Sequence, residues 1–156
     1  MSLTPDWLPS FHPIVVHFPI ALLPAAALVD LLTLFSPRRS AVRNTATWLY
    51  LAGTAFALLA FVTGRSGVDA MALTPVLEPL VNTHENWAFR TTWFFAFFAS
   101  LRLAVSYIFR PRPVILLLAF ILACGGLAML VETVEHGTVL VYQHGLGVRA
   151  LLIPNP

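Results

Sequence analysis

The chain has 156 residues, of which 58% are hydrophobic and 10% charged, and its net charge is +2. Soluble domains usually hold about 25% charged residues, so this balance excludes an ordinary water-soluble domain, and the length leaves room for one domain only. The nine basic residues are all arginines set in short segments between apolar runs, which excludes a nucleic-acid-binding face.

The N-terminal segment carries Asp6 where a cleavable leader would be positive, and no small-residue cleavage site follows, so the first helix is expected to direct insertion. Four apolar stretches then follow, about Ile14–Phe35, Ala46–Val62, Trp87–Ile108 and Val114–Val134. Each is near the roughly 20 residues that cross a bilayer core as a helix. Helices are required because hydrocarbon offers no partner to a free backbone N–H or C=O. The fold expected is an all-α, integral membrane four-helix bundle.

The connection after the first stretch holds Arg38, Arg39 and Arg43, and that after the third holds Arg110 and Arg112, with Arg102 just upstream. Six of the nine arginines thus belong to these two connections, which places both on the cytoplasmic side and both termini on the non-cytoplasmic side. Trp7, Trp48, Trp87 and Trp93 fall near helix ends, as an interfacial aromatic belt requires. Between helices two and three, Val68–Val81 mixes apolar residues with Asp69, Glu78, Pro75 and Pro79, and predicts a short segment on the membrane surface. After helix four, Thr138–Tyr142 is β-branched and follows Gly137, which predicts an extended segment. No internal repeat is visible. Asp30, near the inner end of helix one, is expected to pair with Arg38 or Arg39, and Gly64, Gly67, Gly125 and Gly126 to permit close helix approach.

This topology puts all five histidines in the outer layer. His12 precedes Pro13, His17 lies about one turn inside helix one, His84 stands before helix three, and His136 and His144 follow helix four. Histidine's amphipathic character favours interfaces, which is the simpler account of any one of them. Neutral imidazoles converging from separate helices suit ligation of haem iron or of a transition metal. A haem b in a four-helix bundle takes histidines from facing helices, and Arg65, Arg90 and Arg149 are on hand for its propionates. The competing role for these arginines is snorkelling or pairing with Glu85, Glu132 or Glu135. His12 and His17 lie roughly 140° apart on a continuous helix and converge only if Pro13 breaks it. His136 and His144 would be about 26 Å apart if extended, so only one of them, His144, is retained. Cys124 is the single cysteine, which excludes an internal disulfide or CxxC site. No Ser-His-Asp pattern, Walker loop or dinucleotide fingerprint appears.

The run Phe11-His12-Pro13-Ile14-Val15-Val16-His17-Phe18-Pro19-Ile20-Ala21-Leu22 resembles the opening of a bacterial membrane-protein family, domain of unknown function 2231. His84-Glu85 and the ending Val139-Leu140-Val141-Tyr142-Gln143-His144-Gly145-Leu146-Gly147-Val148 fit the same family. The resemblance implies a four-helix membrane domain, often found near electron-transfer proteins, with no settled activity. By motif it points to His12, His17, His84 and His144 and leaves His136 aside.

The functional expectation is a cytochrome-like electron-transfer subunit of the bacterial inner membrane. It would bind haem b through His17 and His84, with His12 and His144 as a second pair and Arg65 and Arg90 beside them. A quinone or cytochrome would be its redox partner, within the lipid bilayer and in a homo-oligomer or larger complex. The alternatives are a zinc or copper protein using His12, His17, His84 and His144, and a structural or assembly subunit. No catalytic motif supports turnover of a substrate.

Overall fold

The computed structural model describes residues 11–36, 39–69, 73–108 and 112–146. It contains α1 (His12–Val15), α2 (His17–Thr33), α3 (Arg39–Asp69), α4 (Leu77–Ile108) and α5 (Pro113–Tyr142). α1 and α2 form one nearly continuous rod with a single turn residue, Val16, between them. Pro19 lacks the N–H that would bond the Val15 carbonyl, so the helix loosens one turn before it rather than at Pro13. The four rods close into an antiparallel bundle in which α2 packs on α3 and α5, and α4 packs on the same two. α2 and α4 therefore face one another across a diagonal.

The core is a run of apolar and aromatic residues that includes Leu23, Ala26, Tyr50, Phe95, Phe98, Ala123 and Leu130. Tyr50 meets Phe98 edge to face, with ring centroids 4.9 Å apart. The outward faces are equally apolar: Phe35, Phe97, Leu118, Ile121 and Val131 are all exposed. A chain with greasy residues on both faces of its helices is solvated by lipid on the outer one. α1–α2, α3 and α5 are each long and apolar enough to cross a membrane. α4 matches their length but carries Thr91, Thr92 and Arg102, all buried inside the bundle and away from the lipid.

The helices outrun the apolar stretches, and this corrects three local expectations. The surface segment expected over Val68–Val81 is shortened at both ends, because α3 persists to Asp69 and α4 starts at Leu77. His84 is consequently two turns inside α4. Thr138–Tyr142 is the last turn of α5 and not extended: β-branching costs a helix only tenths of a kcal/mol, and i→i−4 bonding continues through it.

The bundle also contains an internal repeat. His12 and His84 stand 72 residues apart, as do Asp30 and Arg102, which bond to each other. The same offset relates buried positions of α2 to buried positions of α4: Pro19 to Thr91, Leu23 to Phe95, Ala26 to Phe98 and Ala27 to Ala99. An offset of 73 relates α3 to α5, matching Gly53 with Gly126, Ala57 with Leu130 and Gly64 with Gly137. Contacts follow the same rule. A methyl group on Gly53 would lie 2.7 Å from Leu23, and one on Gly126 would meet Phe94 and, at 2.8 Å, Phe95, the partner of Leu23. Two similar helical hairpins, α1–α3 and α4–α5, thus pack about an axis along the bundle, an arrangement known in membrane proteins built from parallel repeats.

Candidate functional site

His12 and His84 occupy equivalent places at one end of the bundle, and each is held by a backbone carbonyl and a glycine of the next helix. His12 Nδ1 lies 2.9 Å from the Ala60 carbonyl oxygen on α3, and His84 Nδ1 lies 3.0 Å from the Thr133 carbonyl oxygen on α5. A carbonyl only accepts, so each Nδ1 carries the hydrogen and donates it. In the neutral imidazole the lone pair then belongs to Nε2, the atom left to bind a metal. Bonding of the second ring nitrogen to a backbone carbonyl is the usual way a ligating histidine is held in one tautomer and orientation.

One helical turn beyond each carbonyl stands a glycine, and each ring lies against it. A methyl on Gly64 would fall 2.8 Å from His12 Cε1, and one on Gly137 would fall 2.9 Å from His84 Cε1. Both distances are below what real methyl contacts tolerate, so the glycines are what let the imidazoles approach the neighbouring backbone. Threonines complete the cradles. Thr63 Oγ1 is 3.2 Å from His12 Nδ1 and donates its own hydrogen to the Leu59 carbonyl. On the other side Thr91 and Thr133 share a hydrogen bond of 2.8 Å that ties α4 to α5 below His84. Both rings are half-buried, and His84 is within electrostatic reach of His12 and of His136.

The remaining expected residues are not brought into this arrangement. His17 follows His12 on a nearly continuous helix and faces outward, exposed, as the 140° between them requires. His144 lies exposed beyond the end of α5. His136 is in α5, 3.8 Å from Glu132 on the same helix. Arg65 forms an ion pair with Glu85 between α3 and α4 at the histidine end, and Arg90 is exposed with its guanidinium 5.5 Å from the centre of the Trp87 ring. Arg149 is outside the described residues. Among the described residues no three His, Cys, Asp or Glu side chains gather closely enough to hold a metal ion. His17 and His144, two of the four histidines named for the metal alternative, are exposed and are not gathered with His12 and His84.

Sequence reasoning missed the glycines and carbonyls that hold the rings. It also missed the partner of Asp30, which is Arg102 inside the bundle, 2.8 Å away, rather than the expected Arg38 or Arg39. The shared 72-residue spacing of the histidines and of this pair was the available signal.

A family model described as a predicted membrane protein, DUF2231, matches residues 9–150. No curated protein and no solved structure matches the chain.

Proposed function

The chain belongs to the DUF2231 family of predicted membrane proteins, and we propose that it is a haem b-binding electron-transfer subunit in which His12 and His84 would hold the iron. The observation that carries this reading is the matched tautomer: two imidazoles from diagonal helices, each donating Nδ1–H to a backbone carbonyl and each keeping an Nε2 lone pair. His12 takes the place of His17, which faces outward.

The donor set suits haem better than a bare ion. Zinc sites draw three or four ligands from the protein, whereas haem iron receives four nitrogens from the porphyrin and asks the chain for two more at most. Two imidazoles held by a backbone carbonyl, those of His12 and His84, are offered here. The cofactor supplies one-electron chemistry, and the chain supplies fixed ligands and a water-poor setting. Gly64 and Gly137 bring the rings close to the helix backbones, Ala60 and Thr133 orient them, and Arg65, adjacent to Gly64 and paired with Glu85, would be available to a propionate.

The arginines of the two opposite connections support an outward-facing histidine end in a bacterial inner membrane. A quinone or a cytochrome there would exchange the electron. The optical spectrum of the purified, haem-supplemented protein tests the reading. A Soret band and a sharp reduced α band are expected; their absence would remove the proposal.

A further inference from the structure

The two hairpins differ on one outward face, and the difference is charge. Arg90 on α4 and Glu132 on α5 are both exposed. Their equivalents in the first hairpin are Phe18 and Leu59, exposed and apolar, as lipid prefers. Thr91 bonds the Met129 carbonyl at 3.0 Å and shares a 2.8 Å bond with the Thr133 hydroxyl, so Arg90 and Glu132 stand at the same depth. Glu132 lies about 28 Å along α5 from Pro113, near the outer margin of a hydrocarbon core roughly 30 Å thick. A charge at that depth is retained where it meets an opposite one. Among the described residues Arg90 forms no ion pair, its guanidinium resting 5.5 Å from the centre of the Trp87 ring. Glu132 reaches only His136 on its own helix, at 3.8 Å, beyond hydrogen-bond length.

These charges share their face with an apolar surface. Arg90 precedes Leu101 by eleven residues and Glu132 follows Leu118 by fourteen, close to three and four whole helical turns. Leu101 and Leu118 border an open apolar groove between α4 and α5, with Phe98, Val105, Ile115 and Leu122 among the residues around it. The groove and both charges therefore belong to one outward side of the helix pair. Between them, seven residues from Leu118, is Gly125, where an added methyl would meet nothing within 4 Å. Its described neighbours do not require a glycine, and glycine weakens a helix interior relative to alanine. The helices run antiparallel, so Phe97, six residues inward from Thr91, comes level with Gly125, and it is 69% exposed.

We propose that this α4–α5 face is a homodimer interface, its occupant a second copy of the chain in the same membrane orientation. A two-fold axis along the bundle sets α4 of each copy against α5 of the other, and such an interface is self-complementary. Arg90 then meets Glu132 of the second copy, twice over, and Phe97 covers the open space at Gly125 of the second copy. The interface is independent of haem and needs no histidine. Single-molecule photobleaching of the dye-labelled full chain in dilute liposomes tests this. Two bleaching steps per particle are expected; single steps throughout would overturn the proposal. Arg90→Glu alone and Glu132→Arg alone set like charges against each other, and each is expected to weaken association on the order of tenfold or more. Mixed together, the two variants restore both ion pairs, and dimers holding one chain of each are expected. An Arg90–Glu132 pair within one chain would not be rescued by mixing. Undiminished dimers of either variant alone, or no association on mixing, would overturn the assignment. Should a charge variant not fold, Phe97→Ala, an exposed truncation, is expected to weaken association as well, and an unchanged dimer would overturn the fit at Gly125.

Discussion

The two ends of the bundle are built from the same repeated positions and use them in opposite ways. At the histidine end the equivalent residues are identical: His12 and His84 each lie on a glycine and each bond a carbonyl of the next helix. At the arginine-rich end the equivalent residues are complementary: Asp30 and Arg102 meet each other and leave polar atoms unfilled. Two like side chains held apart can grip something placed between them. Two opposite charges in contact satisfy one another and lock the helices that carry them. The difference shows how a duplicated hairpin becomes one machine: identity is kept where both halves serve a common ligand, and lost where the halves must lock together.

The comparison breaks first at the histidines. Replacing either His12 or His84 with alanine should abolish low-spin haem binding, while His17→Ala and His144→Ala should leave the spectrum intact; retained binding in either of the first pair would end the equivalence. Next comes the lock. Asp30→Leu or Arg102→Leu alone strands a buried charge and should cost about 3–5 kcal/mol in chemical unfolding, whereas the double replacement should be nearly neutral. The glycine cradles sharpen the comparison further. Gly64→Ala and Gly137→Ala should weaken haem binding to similar extents by displacing one ring each, and Gly125→Ala, whose added methyl meets nothing within 4 Å, should not. The smallest effect belongs to the exposed Arg65–Glu85 pair, where Arg65→Gln should change stability by no more than about 1 kcal/mol.

The membrane helices were legible because hydrophobic length and arginine-bearing connections are written locally. Their ends were not, since α4 and α5 continue as helix through polar residues such as Asn82, Glu85 and Glu135 that hydropathy assigns to water. The histidine layer was legible as a layer, but not which rings turn inward. That depends on α1 and α2 forming one rod, which sends His12 and His17 to different faces. The repeat escaped notice because most equivalent positions differ in identity, as Leu23 and Phe95 or Ala26 and Phe98 do. What survives is the geometry of packing, small against large, together with histidines and glycines at matching intervals. Asp30 was assigned to the nearer arginines in sequence, while its partner approaches from the helix across the diagonal.

Haem titration of the unaltered chain beside the His12→Ala/His84→Ala variant tests the central claim most directly. Saturable binding of one haem per chain with a six-coordinate, low-spin spectrum, lost in the double variant, is the predicted result. Equal binding by both proteins, or none by either, would contradict it.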